Sequence, residues 1–397
     1  MIRAVLLILC VCGLAAQQLS AQELNRKNAE LVLRAFQLQQ EGELGKAIDQ
    51  LEQLSPSASY DQAYVARVLG DYYWRDDQPA LAIAKLSESV ELNVLAPQQA
   101  WETRNMLAEI LLNEQQVEAA LKHFDILVSR ASQPELTIVL SPSQWQRLRN
   151  NLAYVYYQLQ DWPSVLEQLA ELEKLQSLDI NPLTMRFVAQ VQLKQLKAAI
   201  ETNKALLALA PETLRWWQQL SALYSQTQQH QKALSTLVSA ERSGLSLGQH
   251  LLKHKAQLYA YLQVPEKAAM AYAQLDNAGS DLQLLKRQAQ LWQQAREWQH
   301  SADYWQKLAQ QEPKYNLQLA RVLLLNKQYS QAIKALNLAK QEGQEAKAQL
   351  LLVEVLVETK DYQQAYNAAQ RAHSIEQSKQ TERWLEYLSA LIAESEV

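Results

Sequence analysis

Histidine is the residue type in this chain that most readily suggests chemistry, because imidazole binds metals and transfers protons near neutral pH. Of the six histidines, only His250 and His254 have the i, i+4 spacing that places two side chains on one face of a helix. Two such ligands could reach one metal ion, but no carboxylate or third ligand nearby completes a site. The alternative is that the two histidines are simply exposed on one helix. We predict that the protein binds no metal and no cofactor.

Other arrangements typical of enzymes are missing from the sequence. It contains no glycine-rich phosphate loop, no nucleophile elbow and no Cys–His arrangement. The adjacent carboxylates Asp76 and Asp77 lie at a predicted helix-to-helix turn, where helix capping explains them. We predict that the protein is not an enzyme. The enzyme class left open is a hydrolase of peptidoglycan or peptides, in which His250 and His254 would have to act.

The elements that position these residues follow from a repeat. A pattern of about 34 residues recurs ten times, and its most regular position is a small residue in the second helix of each predicted pair. These anchor residues are Ala47, Ala82, Ala120, Val165, Ala199, Ala233, Ala268, Ser301, Ala332 and Ala365. Three residues before each anchor stands a bulky or turn-forming residue: Leu44, Pro79, Val117, Trp162, Leu196, His230, Pro265, Trp298, Tyr329 or Tyr362.

A second small position lies twelve residues before nine of the anchors, in the first helix of each pair. It is occupied by Ala35, Gly70, Ala108, Ala153, Ser221, Ala256, Ala289, Ala320 and Val353. Small side chains at both positions let two helices approach closely, and larger neighbours fill the space that remains. The fifth copy has Phe187 instead, and we predict a two-residue deletion that shortens its first helix and puts Ala189 at the small position.

The repeat resembles the tetratricopeptide family, whose pattern is W-x2-L-G-x2-Y, then A-x3-F, then a closing proline. The second copy is similar, with LGDYY at residues 69–73 followed by Ala82 and Leu86, and Pro211 and Pro313 fall at the closing proline of other copies. The resemblance covers roughly residues 28–377. It implies an all-α, right-handed α-solenoid of about ten helix pairs that binds other proteins. The alternative is a generic helical bundle with accidental spacing.

The predicted domains are a solenoid over residues 22–377 and a C-terminal helix over residues 378–397. Trp384, Leu385, Leu388 and Leu391 lie on one face of that last helix. We predict that this face caps the open end of the stack, as terminal units of a solenoid must. The alternative is that it docks a partner.

In the tetratricopeptide family the first helices line a concave groove, and its contact positions lie about 18, 15 and 11 residues before the anchor. Carried onto this chain, they form a basic row of Arg67, Arg147, Arg186, Arg215, Lys253, Lys286, Lys314 and Lys347. Such a row, backed by amides and tyrosines, suits an extended peptide that carries carboxylates. The alternative is that these charges are simply solvated.

Amide, aromatic and acidic residues complete the predicted partner-binding groove. They are Tyr64, Asp71, Trp74, Asn105, Asn150, Tyr154, Tyr157, Gln218 and Gln257. The aromatic members are included because exposed Trp and Tyr anchor interfaces. Trp74 could instead pack on the next repeat.

The first residues resemble a secretory signal. Arg3 is followed by an apolar run over residues 4–16 and then by Leu19-Ser20-Ala21, which predicts cleavage after Ala21 and a signal peptide over residues 1–21. A cut after Ala15 is also open. The run is too short to span a bilayer, so we predict no stable membrane insertion after cleavage and a soluble protein of the periplasm.

Composition agrees with export and argues against nucleic acid. Both cysteines, at positions 10 and 12, lie in the apolar run, so the mature chain has none, which suits an oxidising compartment. The formal net charge is −4. This gives no overall electrostatic reason to expect a nucleic-acid partner.

Three segments carry a narrower resemblance: residues 60–70 (YDQAYVARVLG), 216–220 (WWQQL) and 292–294 (WQQ). They look like periplasmic tetratricopeptide proteins found beside an additional TonB, ExbB and ExbD system in gammaproteobacteria. This implies a non-catalytic accessory that couples an inner-membrane, proton-driven motor to TonB-dependent uptake of iron chelates or haem. Its protein partner would be a TonB, ExbB or ExbD component or an acidic extended peptide. The alternative is a periplasmic scaffold for polysaccharide export or envelope assembly.

Overall fold

The computed structural model describes residues 24–341 and 343–395, which contain helices and no β-strand. The predicted signal peptide lies outside the described residues. Within them the α-helices, in chain order, are α1 Arg26–Gln40, α2 Leu44–Glu52, α3 Ser59–Arg75, α4 Pro79–Leu92, α5 Pro97–Asn113, α6 Val117–Ala131, α7 Pro142–Gln158, α8 Trp162–Glu173, α9 Ile180–Gln192, α10 Leu196–Leu209, α11 Leu214–Gln226, α12 His230–Arg242, α13 Gln249–Tyr261, α14 Pro265–Tyr272, α15 Leu282–Gln294, α16 Trp298–Gln311, α17 Asn316–Leu325, α18 Tyr329–Gln341, α19 Glu345–Glu358, α20 Tyr362–Ile375 and α21 Lys379–Ser395. Short 3-10 helices, Pro134–Leu136 and Pro313–Tyr315, precede α7 and α17.

The second helices begin where the repeat predicts. Each even-numbered helix from α2 to α20 starts three residues before an anchor. All ten anchors are fully buried, and the small residues of the first helices are buried as well. The Ser221 hydroxyl donates to the Ala233 carbonyl over 3.0 Å, and Ser301 donates to the Ala289 carbonyl over 2.8 Å. Paired helices therefore meet at these small positions, and the prediction of an all-α fold built from helix pairs is confirmed.

Every pair turns through a three-residue link whose middle residue has a positive φ. The first link has Gly42, and the others have Asp77, Gln115, Gln160, Lys194, Gln228, Gln263, Arg296, Lys327 and Lys360. The N–H of the third link residue donates to a carbonyl five residues earlier, as Gln78 does to Tyr73 over 2.8 Å. This is the Schellman closure of a helix C-terminus. The sequence pattern does not predict it, because glycine marks only one of these links.

The predicted deletion in the fifth copy is wrong. The helix α9 ends five residues after Phe187, as α3 ends five residues after Gly70. The same link follows, with Lys194 at φ 57. Phe187, only 4% exposed, therefore occupies the small position itself. Arg186 then lies 13 residues before the anchor Ala199, which removes it from the positions assigned to the groove.

The described helices form two compact units that divide between Thr202 and Asn203, inside α10. In the first unit, one core runs from α1 to α7 and includes Tyr72, Leu86 and Phe124. In the second unit, a core surrounds Trp305 and Leu336.

The last helix, α21, packs on α20 in the second unit. Leu388 is fully buried in a cluster with Ala365 and Ala369, and Trp384 and Leu385 pack against this cluster. The apolar face of α21 therefore covers the last helix pair. In the parts of the chain that the structure describes, no helix combines the length and hydropathy needed to cross a membrane.

Candidate functional site

The predicted groove of the first unit begins with an ion pair between two first helices. Arg67 on α3 donates from Nη2 to Oε2 of Glu102 on α5 over 2.9 Å, and the two side chains are 25% and 40% exposed. Asp71 similarly pairs with Arg75 one helical turn away, at 2.9 Å. The two charges of each ion pair therefore largely neutralise each other. Arg67 offers less to a partner than a free guanidinium would.

Glu109 on α5 is the centre of a second cluster of polar side chains. Its carboxylate accepts from Asn105 over 3.1 Å and from Asn151 on α7 over 3.4 Å. Burial raises the pKa of Glu109, while these hydrogen bonds and the nearby Arg147 lower it. Arg147 is exposed and Asn150 is half-buried. The surface of α5 and α7 therefore holds a half-buried acid beside an exposed cation, and it is not a purely basic strip.

The aromatic residues of the prediction divide between core and surface. Tyr64 and Trp74 pack against the apolar core of the first unit, so the packing alternative for Trp74 describes its position better. Tyr157 contacts Trp162 edge to face at 5.7 Å between ring centroids. Tyr154 is exposed and accepts a hydrogen bond from Gln158 at 2.5 Å. Of these four, Tyr154 is the one best placed to meet a partner.

Arg186 binds the preceding second helix and not a neighbouring first helix. Its guanidinium forms two hydrogen bonds to Glu173 of α8, at 3.0 and 2.8 Å, and a third to the Leu169 carbonyl. This hydrogen bonding lowers the pKa of Glu173. Lys255 and Glu241 occupy the corresponding positions in the second unit and are 2.6 Å apart. Because the same geometry recurs, each of these two ion pairs connects one helix pair to the next.

The predicted cations of the second unit are mostly unpaired. The ion pairs of the described residues do not include Arg215, Lys253, Lys286 or Lys347. Lys253 and Lys347 are exposed on first helices, as are Gln218 and Gln257, and Lys286 is half-buried. Arg215 is exposed and lies over the Trp216 ring at 5.2 Å.

Lys314 differs from these cations because it precedes α17 in a 3-10 helix. It lies 2.5 Å from Glu312, and this hydrogen bond raises the pKa of Lys314. Its ammonium is also 5.1 Å from the Tyr315 ring centroid. Its charge is therefore balanced locally.

The histidine pair lies near a third histidine. His254 is half-buried, and its Nε2 is 3.2 Å from the hydroxyl of Ser225 on α11. Burial lowers the pKa of His254, and the neighbouring His250 and His230 lower it further. Among the described residues, no group of three or more His, Cys, Asp and Glu side chains is placed to hold a metal ion.

The second unit also contains a cleft between the second helices α16 and α18. This cleft has a volume of about 860 Å³. Its polar lining includes Gln299, Gln306, Gln310, Gln331 and Lys334, and its apolar lining comes from α16, α17 and α18. The repeat pattern does not predict this cleft. A row of glutamines on two helices that are not adjacent in sequence was the only available signal.

The predicted row of cations leaves out two acidic residues of the first-unit surface. Glu102 and Glu109 lie 18 and 11 residues before the anchor Ala120, which are contact positions of the family. Their spacing from Arg67 and Arg147 could have shown that the charges alternate.

No protein-family model and no curated protein matches the chain significantly. Solved structures that resemble it include a tetratricopeptide repeat protein from Parabacteroides merdae, at 16% identity over 62% of this chain and 99% of that one, with a TM-score of 0.33. The tetratricopeptide domain of P58(IPK) matches at 15% identity over 93% of this chain and 99% of that one, with a TM-score of 0.26. MamA from Desulfovibrio magneticus matches at 20% identity over 48% and 100%, with a TM-score of 0.35. Scores this low carry no inference about function.

Proposed function

We propose that the protein is a non-catalytic binding scaffold whose first helices in the second unit hold an extended, carboxylate-bearing segment of a partner protein. One observation supports this most directly. Arg215, Lys253, Lys286 and Lys347 lie on first helices and take part in none of the ion pairs of the described residues. Unpaired cations can form charge-assisted hydrogen bonds with a partner, whereas Arg67 and Arg186 already bind carboxylates.

The chemistry of the neighbouring side chains favours a peptide. Gln218 and Gln257 are exposed on the same helices as Arg215 and Lys253. Primary amides can both donate to and accept from an extended backbone, while the cations select acidic side chains. Binding of this kind should weaken as salt rises, because exposed charges are screened.

We further propose that the protein works in the periplasm as an accessory of a TonB, ExbB and ExbD system for iron uptake. The N-terminal signal-like segment and the three segments at residues 60–70, 216–220 and 292–294 support this. The second candidate is a scaffold for polysaccharide export or envelope assembly, which the same fold would serve with a different partner. The alternating charges of the first unit favour neither.

Crosslinking in intact cells, followed by purification of the full chain, tests the scaffold proposal. Charge reversal with Lys253→Glu and Lys286→Glu should reduce the recovery of the specific crosslinked partner several-fold. The matched control is Lys267→Glu with Lys307→Glu, which changes the charge equally on the second helices α14 and α16. Equal recovery with both double variants would contradict the proposed binding surface.

The identity of the partner decides between the two cellular roles. Recovery of TonB, ExbB or ExbD components supports the iron-uptake role, and recovery of glycan-export components supports the second candidate. Release of the protein by osmotic shock tests its place in the cell. Retention with cytoplasmic markers would refute export.

A further inference from the structure

The cleft between the second helices α16 and α18 has room for a ligand. Its volume of about 860 Å³ lies within the usual range for binding pockets. All of its lining residues belong to the second unit. None of them belongs to the proposed partner surface, so the cleft is a separate place on the molecule.

A short repeat accounts for the open space. The anchor Ala332 follows the anchor Ser301 by 31 residues, which is the shortest interval in the chain. The first helix between them, α17, has 10 residues and is shorter than the other first helices of the described chain. The 3-10 helix Pro313–Tyr315 precedes it and contacts both α16 and α18. Because α17 starts late, it leaves the space beside Pro313 and Asn316 unfilled.

Both walls of the cleft carry glutamines whose amide groups are free. Gln306 and Gln310 on α16 and Gln331 on α18 are exposed, and none of the three has a side-chain hydrogen bond to another described residue. Gln299, by contrast, already accepts two hydrogen bonds of 2.8 Å each. A primary amide both donates and accepts, so the three free amides can bind N–H and C=O groups of a ligand.

Between these walls the lining is apolar. Leu319 and Leu323 of α17 are nearly buried, and Ala335 of α18 lies beside them. Leu338 is 50% exposed at the edge of the cleft. A ligand that covers these side chains would gain free energy from the apolar surface that it removes from water.

Together the walls and the apolar lining select one class of ligand. Lys334 is the one charged residue of the lining, so the cleft gives little electrostatic reason for a strongly charged ligand. A helix would leave the glutamine amides without partners, because its backbone groups bond to each other. A sugar carries hydroxyls around its ring, and placing them against leucines would remove their water. An extended peptide has free backbone groups for the amides and side chains for the leucines.

We propose that the cleft between α16 and α18 binds an extended, uncharged segment of a protein with apolar side chains at alternate positions. Successive side chains of an extended chain point to opposite sides, so every second one reaches the leucines. The amides of Gln306, Gln310 and Gln331 bind its backbone. Binding here does not depend on the exposed cations of the first helices, so it is independent of the partner surface proposed above.

The test uses a phage-displayed library of random short peptides, selected on the immobilised full chain at high salt. High salt suppresses binding to the exposed cations. Enriched peptides are synthesised with blocked ends, and their affinity is measured by fluorescence anisotropy beside neutral oligosaccharides. We expect uncharged sequences with apolar residues at alternate positions, whose affinity does not fall as salt rises. No enrichment, enrichment of acidic sequences, or binding of the oligosaccharides alone would overturn the proposal.

Paired glutamine variants place the peptide on the structure. Gln306→Ala with Gln331→Ala should weaken binding of the selected peptides about tenfold, because two hydrogen bonds to the peptide are lost. The matched control is Gln364→Ala with Gln370→Ala, which changes the corresponding positions of the next repeat and should leave binding unchanged. Equal affinity of the first double variant and the wild-type protein would refute binding in this cleft.

The apolar contact is tested separately. Leu338→Gln should weaken binding several-fold, whereas Leu81→Gln, at a site on α4 that is 45% exposed, should not. Lys253→Glu with Lys286→Glu should leave peptide binding intact, although it reduces recovery of the crosslinked partner. A loss of peptide binding in this charge-reversal variant would assign the peptides to the first helices and contradict the proposal.

Discussion

The distance between paired helices is set by single small residues, and Gly70 is the described glycine whose neighbours lie closest. A Cβ atom built at Gly70 would lie 2.5 Å from Cγ of Leu86, a side chain that is itself fully buried. Such a distance is far inside van der Waals contact, so the two helices or Leu86 would have to move. Gly45, by contrast, has no atom within 4 Å of its added Cβ.

Gly70→Leu should destabilise the first unit by about 1–3 kcal/mol or more, because the side chain overpacks a filled core. Gly45→Leu should be neutral or stabilising by up to about 1 kcal/mol, because a better helix former enters open space. Urea unfolding followed by circular dichroism measures both. Equal midpoints for the two variants would show that α3 and α4 do not interlock at this position.

At the scale of the elements, the links between paired helices repeat more faithfully than the sequence does. Nine of the ten links place a residue other than glycine at a positive φ. This conformation costs an L-residue free energy, because its Cβ crowds the backbone. The Schellman hydrogen bonds and the packing of both helices hold these residues in place.

Gln228→Gly should therefore stabilise the second unit by up to about 1 kcal/mol, since glycine reaches φ 60 without strain. The control is Ala222→Gly in the exposed middle of α11, where the same residue should cost about 1 kcal/mol. Thermal melts of the two variants should shift in opposite directions. A destabilised Gln228→Gly would mean that the chain entropy of glycine outweighs the backbone strain.

Over the whole chain, the sequence predicted the helix pairs well and their charges poorly. Small residues at fixed spacing are buried in every copy, so local periodicity was enough to place each second helix. Phe187 broke the pattern, and only the unchanged link after α9 shows that the register continues. The pairs Arg67–Glu102 and Arg186–Glu173 join different helices. Their formation depends on how helices pack, which the repeat does not encode residue by residue.

Each unit also holds a partly buried histidine whose pKa is lowered, His123 in the first and His254 in the second. Each unit likewise has a glutamate whose pKa is raised by burial, Glu109 and Glu354. Protonation of the histidines lowers the stability of the folded protein, whereas protonation of the glutamates raises it. The unfolded chain takes up protons on histidine before the folded chain does, whereas the folded chain takes up protons on these glutamates first.

Stability should consequently fall as the pH drops through the ordinary histidine value of 6.5 and level off below the lowered folded values. It should then partly recover as the pH approaches 4.5, where the folded protein still binds the glutamate protons more readily.

Replacement of both histidines by Asn should abolish the first decline and leave the recovery in place. Glu109→Gln should weaken the recovery and raise stability at pH 7, because a neutral amide can still accept from Asn105 and Asn151. Melting temperatures at half-unit intervals of pH measure all of these effects. A decline that persists in the double histidine variant would place the acid sensitivity in other groups.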